Sequence, residues 1–280
     1  MLTKCLGRSI ESADQRLVLL APPSRAIPAG LANISVDSCR HADLLAQMQR
    51  LRGSVYLKDG ALSAQQLSTD GLHQTPEDDH SWHLLMLDDN GDVDKCAWWL
   101  LHDDAVSFDR LRVRHCPLAA QPAWRNTLIG AVESEIAEAR KHGMGYSELG
   151  GWAVAEQSRG SSEGLVLALA VYSLGRLLGG ARGITTATVR HCSSTILRRL
   201  GGSALAFNDR PIPSYYDARY KCEMELLRFD SRQPNAKYNH LIDVLKNKLT
   251  QTLVIASSRS AVPAAASQLA ARPAFGFAVA

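Results

Sequence analysis

Residues 146–180 constrain this chain more than any other stretch. Residues 148–154 are short, apolar and bounded by glycines and polar residues, as a buried strand would be. Residues 157–164 are small and polar, a loop whose backbone N–H groups are uncovered. Residues 165–178 include Leu165, Val166, Leu167, Leu169, Val171, Leu174, Leu177 and Leu178. They are apolar almost all round, which predicts a helix buried on most faces. Strand, loop and helix start together make an anion site: the first turn has unpaired N–H donors, and the helix dipole favours negative charge. Arg159 adds a planar cation suited to phosphate. The same residues also fit a strand–loop–helix unit that binds nothing.

Composition narrows the choice. The 280 residues, 46% of them hydrophobic, suffice for one large domain with a core. A net charge of +3, with no run of lysines and arginines, argues against a nucleic-acid partner. The six cysteines, Cys5, Cys39, Cys96, Cys116, Cys192 and Cys222, show no close pairing. They indicate neither a zinc site nor a disulfide framework, and buried thiols fit a reducing, cytoplasmic setting. No segment reaches the roughly 18 apolar residues of a membrane span. Acidic Glu11 and Asp14 interrupt the N-terminus, which does not read as a signal peptide.

Along the chain, residues 16–22 predict a strand stopped by Pro22 and Pro23, and residues 26–36 a loop with a second short strand. Asp37 or Ser38 caps a helix through Arg52, ending near Gly53. A helix-like piece at 63–67 precedes Asp70-Gly71 and an acidic loop. Residues 82–87 and 94–102 form a hairpin around Asp89-Asn90-Gly91-Asp92. Alternating Phe108, Leu111 and Val113 predict a strand or extended edge over 106–115. An amphipathic helix follows at 124–141. Later come strands at 183–189, 203–207 and 221–229, a short helix to Leu200, and a C-terminal helix at 238–249. From residue 257 the chain is rich in Ala, Ser and Pro and reads as a mobile tail.

This order of elements, together with Arg159-x-x-Ser162-x-Gly164, resembles the GNAT acyltransferase superfamily, whose Gln/Arg-x-x-Gly-x-Gly/Ala loop holds an acyl-CoA pyrophosphate. Within it the chain is most similar to the branch of acyl-homoserine-lactone synthases and long-chain N-acyl amino acid synthases. Three places carry this. They are Arg52-Gly-Ser-Val-Tyr56 with Asp70-Gly71 and Asp78-Asp79, then Glu148-Leu-Gly-Gly-Trp-Ala-Val154, and the loop and helix followed by Ile196-Leu-Arg-Arg-Leu-Gly201. Ser162 stands where the pattern usually has glycine, Gly150-Gly151 replace a Ser-Arg pair, and Leu197 stands where many relatives have a tyrosine acid. The resemblance implies an α/β (α+β) fold: a mixed, mostly antiparallel sheet flanked by helices on both faces. The expected division is an N-terminal lead with the first strand at 1–35, a GNAT-like domain at 36–256, and the tail at 257–280.

The implied activity is N-acyl transfer from acyl-CoA, or from the phosphopantetheine of an acyl carrier protein, to the amine of an amino acid or related small molecule. Such transfer needs a neutral amine, a stabilised oxyanion and a proton for the leaving thiolate. No metal enters. Glu148, His83 and Tyr216 are the catalytic candidates, with Tyr215 and Tyr220 as alternative proton donors. The donor site is expected at Trp152, Ala153, Val154, Arg159, Gly160, Ser161, Ser162, Glu163 and Gly164. Gly150 and Gly151 would let a ligand approach the main chain, or simply form a β-bulge. Neighbours on a strand face opposite ways, so of Trp98 and Trp99 one faces the core and the other an interface or acyl pocket. Arg112, Arg114, Arg159, Arg176, Arg198 and Arg199 could form a surface for a carrier protein. A catalytically silent GNAT-like binding module is the alternative.

Overall fold

The computed structural model describes residues 6, 7, 9–11 and 16–260. The remainder of the expected tail and most of the polar lead lie outside the described residues. The apolar runs enter one sheet. In chain order these are β1 (Leu17–Leu20), β2 (Ile34–Val36), β3 (Trp82–Leu87), β4 (Val93–Leu101), β5 (Gly145–Val154), β6 (Ala181–Thr188) and β7 (Ser203–Ala204). A two-residue hairpin, β8 (Ala206–Phe207) with β9 (Arg210–Pro211), stands apart. Then β10 (Tyr215–Asp217), β11 (Cys222–Asp230) and β12 (Leu253–Ala256) complete the sheet. Its order is β10-β11-β6-β5-β4-β3-β1-β12-β2, with β7 beside β11. Only the pairs β5–β6, β1–β12 and β12–β2 are parallel among the described residues.

Residues 6, 7 and 9–11 are helical, and six helices follow: α1 (Ser38–Lys58), α2 (Pro117–Ala120), α3 (Pro122–Lys141), α4 (Glu163–Leu177), α5 (Ser193–Leu200) and α6 (Asn239–Leu249). Leu44, Met48 and Val55 of α1 pack on Val18, Leu20, Leu85 and Cys96. Further along the same face, Leu128, Val132 and Ile136 of α3 meet Tyr146 and Ile184. The opposite face carries α4 and α6, where Val166, Leu169 and Ile242 bury Leu84, Met86 and Trp99. Helices therefore flank a mixed, mostly antiparallel sheet on both sides. Helix α4 is buried from Val166 to Gly175, as its unbroken apolar sequence requires.

Some expectations need correction. Helix α1 does not stop at Gly53 but continues to Lys58. The glycine serves a close approach instead, because a Cβ there would lie 2.9 Å from the Gly71 carbonyl oxygen. Residues 106–115 are no strand: they form two 3-10 turns, Phe108–Arg110 and Arg112–His115. Phe108, Leu111 and Val113 look alternating because all three enter the core under α3. Strand β12 was not anticipated, although Leu253–Ala256 is apolar and lies between β1 and β2. Residues 257–260, counted with the tail on composition, are tied back by the Ser258 N–H donating to Ser38 Oγ at 2.9 Å.

Candidate active site

Strands β5 and β6 pair only from Gly145–Ala181 to Leu149–Thr185, yet β5 runs on to Val154 and β6 to Thr188. Beyond that point they splay, and the gap opens into a cleft of about 860 Å³. Thr185 Oγ1 donates to the Leu149 carbonyl at 3.0 Å and closes the throat. On the other side of β5, the pairing to β4 slips by one residue between Cys96 and Trp98. Gly150 and Gly151 form this β-bulge, with Gly151 at φ +62°. A Cβ at Gly151 would lie 2.1 Å from Trp98 Cδ1. The glycine pair thus makes a bulge under the Trp98 ring, and it also lines the cleft. Trp98 lines the cleft as well, whereas Trp99 is fully buried against Phe229.

At one end of the cleft lies the loop before α4. Arg159, Gly160, Ser161 and Gly164 line it, as do Trp152, Ala153 and Val154. Among the described residues, the N–H groups of Gly160, Ser162, Glu163 and Gly164 donate to no backbone carbonyl. They are the uncovered donors expected of a helix start. Gly160 needs its glycine, at φ +83°. Ser162, at φ −73°, does not, and its Oγ lies 2.6 Å from Ser9 Oγ. The departure from the glycine pattern is therefore accommodated. Neither Ser162 nor Glu163 lines the cleft. Arg159 faces Asp59 at 3.3 Å, and Arg190 and His191 gather at the same place.

The other end is walled by α1 and the segment before β3. Arg52, 1% exposed, donates to both oxygens of Asp78, at 2.9 and 2.7 Å. Its Nε donates to His73 Nδ1 at 3.2 Å. Gln49 and Thr75 complete the shell of Asp78. Burial would raise the Asp78 carboxyl, but the hydrogen bonds and charge of Arg52 outweigh it and bring it down to about 2. Arg112 pairs with Glu77, and its guanidinium sits 5.3 Å from the Trp98 ring centre.

Of the predicted catalytic residues, Glu148 lines the cleft, in its wall at the throat. Its carboxylate accepts from the N–H groups of Arg112 (3.1 Å) and Val113 (3.2 Å) and contacts His102 Nε2 at 3.1 Å. His83 is 1% exposed and lies outside the cleft lining, where its Nε2 donates to the Asp78 carbonyl at 2.8 Å. Tyr216 is 57% exposed and also lies outside it, whereas Tyr215 and Tyr220 line the cleft. A three-residue strand alternates its side chains, and Tyr216 falls on the outer side. Of the six arginines considered for a carrier-protein surface, Arg112, Arg159, Arg176 and Arg198 each face a carboxylate.

Sequence reasoning missed Asp59, His73, Asp94, Lys95, Arg190 and His191. The one available signal was Asp94-Lys95, two charges heading an otherwise apolar strand. Among the described residues there is no group of three or more His, Cys, Asp or Glu that could hold a metal ion, and no helix long and apolar enough to cross a membrane.

Burial also pushes the His83 imidazole down from 6.5 to about 4, against the opposing pull of Asp78. The unfolded chain binds this proton below about pH 6.5 and the folded one only near pH 4, so the contribution is complete above 6.5 and declines as pH falls toward 4. At pH 5 the expected loss is about 2 kcal/mol. Urea unfolding at pH 7.5 and pH 5 gives a gap that also contains His73, pushed down to about 4 by burial and Arg52, so the narrowing of the gap in His83→Gln measures the His83 share. Equal stability at both values would contradict this account.

No protein-family model matches the sequence, and no curated protein matches it. Solved structures do resemble the fold. A CoA-dependent acyl-homoserine lactone synthase, BjaI, with MTA superposes at a TM-score of 0.53 and 13% identity, covering 87% of this chain and 93% of that one. The same synthase with SAM and isopentyl-CoA gives 0.50 at 12% identity over the same shares. FeeM, an N-acyl amino acid synthase from uncultured soil microbes, gives 0.43 at 11% identity, covering 71% and 88%. The splayed β5–β6 pair and the loop before α4 thus lie in a chain whose fold is similar to that of a CoA-dependent acyl-homoserine lactone synthase.

Proposed function

We propose that the protein is a GNAT-type N-acyltransferase. It moves an acyl group from acyl-CoA or an acyl carrier protein to the amine of an amino acid or related small molecule. The observation that carries this reading is the splayed gap between β5 and β6, with uncovered amides at one end and Glu148 in its wall. The donor's phosphates meet the uncovered N–H groups of Gly160, Ser162, Glu163 and Gly164 and the Arg159 guanidinium, and its pantetheine arm lies along residues 152–154. Glu148 takes a proton from the acceptor ammonium. The amine nitrogen bonds to the thioester carbonyl carbon, and a β5 N–H steadies the oxyanion. The C–S bond then breaks, the attached nitrogen gives its surplus proton to water, and the thiolate takes a proton from water or from a phenol in the cleft, Tyr215 or Tyr220, which regains it from solvent. Transfer is direct, from donor to amine with no acyl-enzyme; the Cys116 thiol in the cleft is pushed up from the usual range by burial and makes a poor nucleophile. Acyl-CoA and carrier-protein donors both fit a cytoplasmic setting.

The test supplies a panel of acyl-CoA and acyl-carrier donors with amino acids and related amines, and follows free thiol and N-acyl product by mass spectrometry. One thiol per product is the expected result. CoA binding with no thiol release across the panel would favour a silent binding module, and no binding of any thioester would overturn both readings.

A further inference from the structure

Beneath the donor loop, away from the cleft, lies a set of charges that acyl transfer does not use. Lys95 of β4 is fully buried. Its Nζ is 2.7 Å from Glu163 Oε2 and pairs also with Asp94. Glu163 pairs in turn with Arg16. Asp94 reaches into the loop itself, accepting from Ser158 Oγ at 2.6 Å and Gln157 Nε2 at 3.2 Å, while its carbonyl accepts the Ala155 N–H at 2.9 Å.

Glu163 is the first residue of α4. A carboxylate in a first helical turn is ordinarily drawn to the free N–H groups and positive dipole end there. A phosphate donor needs the same amides and dipole end. Here the carboxylate is held elsewhere: Gly160, Ser161 and Gly164 line the cleft, and Glu163 does not. Burial would push the Glu163 carboxyl up, but Lys95 and Arg16 outweigh it and keep it ionised. The negative charge is therefore fixed, and what matters is where it points.

We propose that Lys95 and Asp94 are positioning residues for the donor: Lys95 draws the Glu163 carboxylate off the helix start, leaving that start to the donor's phosphates, and Asp94 holds residues 157–158 in the matching shape. The proposal rests on the acyltransferase reading of the site. It makes residue 163 a built-in competitor that Lys95 restrains.

The experiment measures CoA binding by calorimetry, KM for donor and acceptor separately, and melting temperature, in the full chain. Lys95→Met leaves Glu163 held by Arg16 alone, loosens it toward the helix start and should weaken CoA binding about tenfold, leaving the acceptor KM unchanged. Glu163→Gln removes the competitor and should tighten CoA binding about threefold while lowering the melting temperature, because it leaves Lys95 short of a partner. Opposite movement of affinity and stability is the signature, since a merely structural ion pair would lower both. The double variant should return CoA affinity to near its starting value. If Lys95→Met does not fold, Glu163→Gln alone decides. Unchanged or weaker CoA binding in Glu163→Gln, in a protein that binds CoA before substitution, overturns this inference alone. Failure of the unsubstituted protein to bind CoA overturns the reading of the site instead.

Discussion

Arg52→Met is expected to destabilise the protein by about 3–5 kcal/mol, a large share of the roughly 5–15 kcal/mol that a domain has in total. The cause is the charge left behind. Asp78 is 4% exposed, and without Arg52 it keeps only the neutral donors Gln49 and Thr75. The damage should spread, because Arg52 also holds the His73 carbonyl and Nδ1, fixing residues 73–77 as a wall of the cleft. Arg52→Lys should recover little of the loss, since an ammonium cannot match both Asp78 oxygens and His73 from one planar group. Arg52→Met with Asp78→Leu should cost less than Arg52→Met alone, because it leaves no buried charge unpaired. Urea unfolding curves for the three variants check the order. A loss below about 1 kcal/mol in Arg52→Met would show that the pair is screened like a surface one.

The contrast between Arg52 and Glu163 shows how far the sequence could be read. Periodicity located α1, the β3–β4 hairpin, α3 and the unit from β5 to α4, because each is a local pattern whose apolar residues repeat at the period of the element. The donor loop was legible for the same reason: strand, small residues and helix are contiguous. The bonds that shape the site were not, because they join residues far apart in the chain. Arg52 meets Asp78 across 26 positions, and Lys95 meets Glu163 across 68. No local pattern marks either pair. The 106–115 segment failed differently. Leu111 and Val113, two apart, fit a strand face but Phe108, three before Leu111, does not, and all three enter the core under α3 from turns. Tyr216 was one of several tyrosines that chemistry alone could not separate. Side-chain alternation on β10 places Tyr215 in the cleft and Tyr216 outside it.

Glu148→Gln should lower kcat by about 10²- to 10⁴-fold, the range associated with removing a general base. The substitution suits the question because it preserves shape and removes only basicity. An ionised carboxylate offers about four acceptor positions. Three are engaged, by the N–H groups of Arg112 and Val113 and by His102, which leaves one for an acceptor in the cleft. A glutamine can keep its oxygen toward Arg112 and His102 and give up the bond from Val113, at a cost of about 1–3 kcal/mol. The melting temperature should therefore move modestly and CoA affinity not at all, while turnover collapses. The opposite pattern is equally well defined. If kcat stays within threefold and the melting temperature falls, Glu148 fastens residues 112–113 to β5 and the base lies elsewhere in the cleft. Both readings place a carboxylate on the same strand with the same three partners. Only the rate separates a residue that holds a loop from one that also accepts the substrate's proton.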